Sequence, residues 1–288
     1  MLYRLDQMPN VRAGDGVNKN HQDLVSVYAS TTEFVAAATA VGSKRQNRFE
    51  PDFHGEDFYA ASRSCQNGNE SYVAASDKIM AELEGLIGFN SSSFRTINDV
   101  VGGSPNIGNY LAGNPMSMRR RVRTHSEFAP ITIVADLGLR AMNTDAEIAR
   151  RGAAVLALVR ILSTMRPVTL YVGACSRSST NSTTATMVRV ETAPLDLARA
   201  AYMTSSKAFT RKLCFDVMEC QANTYQSLST PYENMEGYLS VAHAYWNRIF
   251  PGDMIYVPRL VGDRRDAVAR DPKAWLLDQL AKHGRPAE

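Results

Sequence analysis

A chain of 288 residues exceeds the usual domain of about 100–200, so one large domain, or a domain with an extension, is expected. Its 44% hydrophobic and 21% charged residues are those of a globular protein, and no apolar run approaches the roughly 18 residues that span a bilayer. The net charge of +3 hides an asymmetry: residues 51–110 hold eight acidic and three basic side chains, whereas residues 111–190 hold eleven arginines against four acids.

The segment Met1 to Pro9 lacks the apolar core of a secretory signal, so a cytoplasmic protein is expected. Cys65, Cys175, Cys214 and Cys220 are widely spaced, with no CxxC and no nearby histidine pair, which argues against a zinc site and a disulfide framework. Residues 1–55 read as an irregular arm with one short periodic segment, Leu24 to Phe34. Within it Lys44, Arg45 and Arg48 interleave with Phe49 and Phe53, a mixture suited to stacking on bases; docking of the Phe rings on the main body is the alternative.

Residues 56–288 read as one α/β domain. Its N-terminal part, 56–110, opens with one or two helices between Phe58 and Gly88, for which Ser76 or Asp77 is a candidate second start. Asn90 to Asn114, rich in Ser, Gly, Asn and Pro, predicts a loop. Ile131–Ala135 predicts a strand, Thr144-Asp-Ala-Glu147 a capping box, and Ile148, Val155, Leu156, Val159 and Leu162 the apolar stripe of a helix ending near Met165. Val168–Val172 and Ala185–Val190 follow as strands around a polar loop from Cys175 to Thr184. Leu197–Cys220 is helical, Met254–Pro258 a strand and Ala267–Lys282 a final helix. The layout is α/β, a mixed sheet with flanking helices.

The feature with most chemical content is Arg119, Arg120, Arg121 and Arg123, four guanidinium groups in five residues. A flat, weakly hydrated guanidinium grips phosphate bidentately and lies against bases, so nucleic acid is the leading partner class; an exposed basic loop serving solubility is the bland alternative. Tyr110 and Phe128 flank the run and supply stacking rings. Zinc-finger spacing, an RRM aromatic motif and a basic zipper are missing. Ser206 to Lys212, with Lys207 and Arg211 as helical neighbours, is the one candidate for reading a duplex.

No G-x-S-x-G, H-E-x-x-H or P-loop occurs, and the five histidines fall in no catalytic motif, so a non-enzymatic protein without cofactor or metal is expected. A nuclease is the weakest alternative, for want of a carboxylate cluster. The order strand, helix, strand, hairpin strand, helix over residues 130–220 resembles a von Willebrand factor A domain, whose first strand ends in a metal-holding Asp-x-Ser-x-Ser. Here those positions read Asp136-Leu-Gly138-Leu-Arg140, so a metal-free site is expected, with Asp136 serving a turn or pairing with Arg140.

Tyr110-Leu-Ala-Gly-Asn-Pro-Met-Ser-Met118, the basic run and the 131–136 strand resemble the Drc-type proteins of lytic phages. That resemblance implies a sequence-tolerant single-stranded-DNA-binding cofactor, in the host cytoplasm, that recruits the phage RNA polymerase to melted promoters. The alternative is a non-enzymatic phage interaction scaffold with a degenerate von Willebrand A fold, whose arginines grip an acidic protein patch. A homo-oligomer is expected on either reading.

Overall fold

The computed structural model describes residues 2–4, 24–40, 50–87, 94–123, 129–139, 143–177, 183–221, 246–247, 249–260 and 267–283. Its strands are β1 (Leu2–Arg4), β2 (Leu24–Tyr28), β3 (Phe94–Asp99), β4 (Ser104–Pro105), β5 (Met118–Arg123), β6 (Ile131–Asp136), β7 (Val168–Arg177), β8 (Thr183–Val190) and β9 (Asp253–Val257). Six of them form a mixed sheet in the order β1-β2-β8-β7-β6-β9. The pairs β2/β8, β7/β6 and β6/β9 are parallel, while β1/β2 and the hairpin β7/β8 are antiparallel.

Alternation along the strands explains the two cores. Ile131, Ile133 and Ala135 of β6, with Leu170 and Val172 of β7 and Ile255 and Val257 of β9, turn to the larger cluster. Val134, Cys175, Met187 and Met254 turn to the opposite face, where Trp246, Ile249 and Phe250 cover them. Both faces are buried, which is why these strands read as near-continuous apolar runs.

The larger face is covered by helices. These are α1 (Thr31–Thr39), α2 (Pro51–His54), α3 (Phe58–Asn67), α4 (Glu70–Ile87), α5 (Ile107–Leu111), α6 (Asp145–Met165), α7 (Leu197–Ser205), α8 (Phe215–Gln221), α9 (Ala267–Arg270) and α10 (Pro272–His283), with a π-helical turn at Phe209–Cys214; of these, α5 belongs to the small sheet described below. The capping box at Thr144 forms as expected, with the Thr144 side chain accepting from the Glu147 N–H and Glu147 accepting from the Thr144 N–H. Helix α6 is buried far beyond one stripe, from Arg151 through Val159, because α4, α7 and α10 lie over its outer side.

Several expectations need correction. Residues 24–39 are not part of an arm: β2 is an internal strand and Phe34, Val35 and Ala38 of α1 lie in the core. The Phe58–Gly88 region is two helices with the second beginning at Glu70, and Ser76 is a buried position inside it. Strand β7 runs on to Arg177, since its polar end still pairs with Thr183–Ala185. The final helix is two, α9 and α10, and Pro272 opens the second. The largest difference lies in the loop expected at Asn90 to Asn114, whose described part holds β3, β4 and α5; with β5 the strands form a second sheet of order β3-β5-β4. Its strands are mostly polar and, among the side chains described, none is buried, so hydrophobic periodicity could not reveal them.

Candidate nucleic-acid interface

The arginine cluster is the central strand of this small sheet, not a loop. β5 pairs antiparallel with β3 from Met118 to Arg123 and with β4 at Met118 and Arg119. Successive positions of a strand alternate between its two sides, and paired positions share a side. The register therefore groups Arg119, Arg121 and Arg123 with Phe94, Thr96, Asn98 and Ser104 on one side. The other side carries Arg120 with Arg95, Ile97, Asp99, Pro105, Met118 and Val122. The first side thus holds three arginine positions and no acidic one, while the fourth arginine faces away from it.

Arg120 is also occupied. Its Nη1 donates to Asp99 Oδ2 at 3.2 Å, and the Val100 N–H bonds Asp99 Oδ1 at 2.7 Å; the Val100 bond first, then Arg120, holds the Asp99 carboxyl below its ordinary value. Arg119 is exposed. Tyr110 projects from α5 with 69% of its surface exposed. Helix α5 is tied to the start of β5: the Asn106 N–H donates to Ser117 O at 2.6 Å and Asn109 Nδ2 to Met116 O at 3.0 Å. Asn106 Nδ2 also donates to Asn98 Oδ1 at 3.1 Å, fastening the same turn to β3. Phe128, Lys44, Arg45 and Arg48 lie outside the described residues.

The duplex-reading candidate is withdrawn. Arg211 and Lys212 are buried in the π-helical turn, where Arg211 Nη1 donates to Phe53 O at 3.0 Å with its guanidinium 4.9 Å from the Phe53 ring centroid. Lys212 pairs with Asp216 at 3.1 Å. These cations hold the fold together, because a helix covered on all sides presents nothing to a groove. Phe53 serves the main body in the same contact.

A second polar cluster sits at the C-terminal ends of β6 and β9. Asp136 is wholly buried; its Oδ1 accepts from the Gly138 N–H at 2.9 Å and the Cys175 N–H at 3.4 Å, and its Oδ2 from Tyr256 Oη at 3.4 Å. Arg259, 3% exposed, stands 3.5 Å from Asp136 Oδ2 and supplies the balancing charge. Arg151 reaches across from α6 to donate to the carbonyls of Asp136 and Pro258. The ion-pair partner of Asp136 is therefore Arg259, which is 123 residues away and gave no local signal; Arg140 lies outside the described residues. The adjoining crevice, lined by Leu137, Leu139, Ile148, Arg151, Thr204 and Thr210, has no room for a water-sized sphere.

Among the described residues no three His, Cys, Asp or Glu side chains converge on a metal position, and no helix is long and apolar enough to cross a membrane. Burial pushes the Cys65 thiol up to about 12 and those of Cys175 and Cys214 well above the ordinary value, which disfavours the reactive thiolate at all three. His54 and His283 are engaged with the Glu50 backbone and with Asp253.

The chain belongs to the family described as a domain of unknown function, DUF7192, whose model matches residues 14–283. No curated protein and no solved structure matches it.

Proposed function

We propose that this family member binds single-stranded DNA with little sequence preference along the Arg119, Arg121 and Arg123 side of the small sheet. The observation that carries this reading is the register, which gathers three arginine positions and no carboxylate on one side. Alternate strand positions lie about 6.8 Å apart, which matches two rises of about 3.4 Å in a stacked strand. Guanidinium groups spaced this way track a phosphate backbone, and Tyr110 offers a base its ring. Backbone tracking with ring stacking is indifferent to base identity. Recruitment of a phage RNA polymerase to melted promoters is the finer part of the proposal and rests on the Drc resemblance, which covers mainly residues 100–175.

The test is fluorescence anisotropy of matched single-stranded and duplex oligonucleotides across a salt series. Three neutralised phosphates give a slope of log affinity against log salt of about −2, at roughly −0.7 per contact. Replacing Arg119, Arg121 and Arg123 with Ala flattens the slope, whereas Arg120→Ala, on the other side, leaves it within one contact of the parent. Absence of binding at low salt, or equal losses from both variants, refutes the assignment. Polymerase recruitment is read separately, as stimulated transcription from a template with a preformed bubble.

The interaction-scaffold reading is favoured by one observation. The run β6, α6, β7, β8 ends its first strand in Asp136, and Arg259 neutralises that carboxylate where a von Willebrand A domain carries a cation. On that reading the arginine side grips an acidic patch from residues 51–110 of a neighbour, and oligomer size falls as ionic strength rises.

A further inference from the structure

Exposed apolar side chains are concentrated in one place. Of the eight large hydrophobic residues that stand exposed among the described residues, six lie between positions 100 and 116: Val100, Val101, Ile107, Tyr110, Leu111 and Met116. Their exposure runs from 52% at Met116 to 79% at Leu111. All six come from the two connections at one end of the small sheet, where Asp99 of β3 and Pro105 of β4 both pair with Met118 of β5. The hydrogen bonds of Asn106 and Asn109 hold the second connection together and fasten it to β3 just before the first connection leaves it, so the two emerge side by side as one lobe.

The lobe is also electrically neutral. From Val100 to Met118 there is no charged residue, in a chain that is 21% charged, and the stretch is bracketed by Asp99 and Arg119. More than half of the surface of each of the six is exposed, so together they rival the roughly 300–600 Å² of the largest apolar patch on ordinary monomers. Depletion of charge is the mark of an interface core.

We infer that this lobe is the contact surface of a two-fold dimer, its partner the same lobe of a second copy of this chain. Three considerations select that occupant. A neutral apolar patch meets itself without like-charge repulsion. The lobe carries no cation to hold a phosphate, so the backbone of a nucleic acid is left to the arginine side; Tyr110, the ring that the proposed function offers to a base, is common to both readings, and the dimer contact rests on the other five side chains. A second copy joining head to tail would need a different apolar patch to receive the lobe, and the other exposed large hydrophobics among the described residues, Tyr59 and Leu277, belong to different elements, α3 and α10. Patch on identical patch is an isologous contact, and it closes at two copies. The inference does not depend on what the arginines hold.

The experiment is sedimentation velocity of the 288-residue chain between about 1 and 100 μM, in low and in high salt, with light scattering for mass. The expected species has twice the chain mass of 31.7 kDa and persists in 1 M salt, because its contact is apolar. Leu111→Asp and Ile107→Asp each shift the dissociation constant upward by at least a hundredfold at unchanged melting temperature, since both side chains are exposed in the single chain. Leu111→Cys gives a dimer-length cross-link under mild oxidation, whereas Leu277→Cys does not. A wild-type chain that stays monomeric at 100 μM overturns the inference, as does a dimer that survives Leu111→Asp. A dimer that dissociates in salt and in the Arg119/Arg121/Arg123 variant overturns it in favour of the acidic-patch contact. Loss of oligonucleotide binding in Leu111→Asp from a monomeric parent assigns the lobe to bases instead.

Discussion

Replacing Arg259 with Met removes the charge that balances Asp136, and the outcome separates a structural ion pair from a vestigial cation site. Asp136 has no solvent exposure, so its carboxylate cannot recruit water in place of the guanidinium. Leaving one member of a buried pair uncompensated costs about 3–5 kcal/mol. The Gly138 and Cys175 N–H groups and the Tyr256 hydroxyl still donate to it, which places the cost near the lower end, about 3 kcal/mol. For a chain of 288 residues that lowers the melting temperature by about 5 °C. Asp136→Asn takes the carboxylate away from Arg259 and costs a similar amount, whereas the double variant removes both charges of the pair and recovers about 2 kcal/mol of the combined loss. Urea unfolding of the four proteins, with calorimetry alongside, measures the cycle. Adding millimolar Mg²⁺ to Arg259→Met restores less than about 1 kcal/mol, because Asp136 is one carboxylate and a divalent cation needs several oxygen ligands. Gly138 leaves no space for a hydroxyl ligand either: a Cβ there lies 3.1 Å from Asp136 Oδ1 and 3.3 Å from Arg259 Cβ. Additive losses in the double variant, or full rescue by Mg²⁺, would falsify this account.

Gly173→Ala drives a Cβ into Thr186 O across the β7/β8 hairpin, so the strands must part; we expect a loss of at least about 3 kcal/mol in urea unfolding, and a change under about 1 kcal/mol would contradict the tight approach. Burial raises the Glu56 carboxyl above its ordinary value, against the opposing hydrogen bonds from Tyr202 at 3.0 Å and Tyr72 at 3.5 Å. Its contribution is full below the unfolded-state value and is lost as pH rises through the folded one, so Glu56→Gln flattens that descent in a stability–pH profile; an unaltered profile would count against it. With Cys220 replaced by Ser, the native chain does not react with a thiol reagent at pH 8, because Cys65, Cys175 and Cys214 are buried and held as neutral thiols; reaction faster than unfolding would disprove that.

Much of the main body was legible because its signals are local. The capping box at Thr144, the β-branched run at Ile131 and the Pro167 stop each act within one turn or one strand, and the structure reproduces all three. The element order of the α/β layer, and the exposed arginines at 119 and 120, could likewise be read from composition and periodicity.

What depends on partners distant in the chain needed tertiary structure. Leu24–Tyr28 looks like part of an arm until Thr184–Val188 is seen beside it, since a strand is specified by its neighbour as much as by itself. Lys207, Arg211 and Lys212 look like a recognition face until Phe53 and Asp216 are found against the last two, because the same cation serves a core or a ligand according to what surrounds it. Four adjacent arginines are one cluster in the sequence, whereas strand alternation divides them three to one and turns Arg120 to Asp99. Residue type determined that this chain carries concentrated positive charge; only the pairing of β5 with β3 and β4 decided which side of a sheet presents it, because the side on which a residue stands is a property of register.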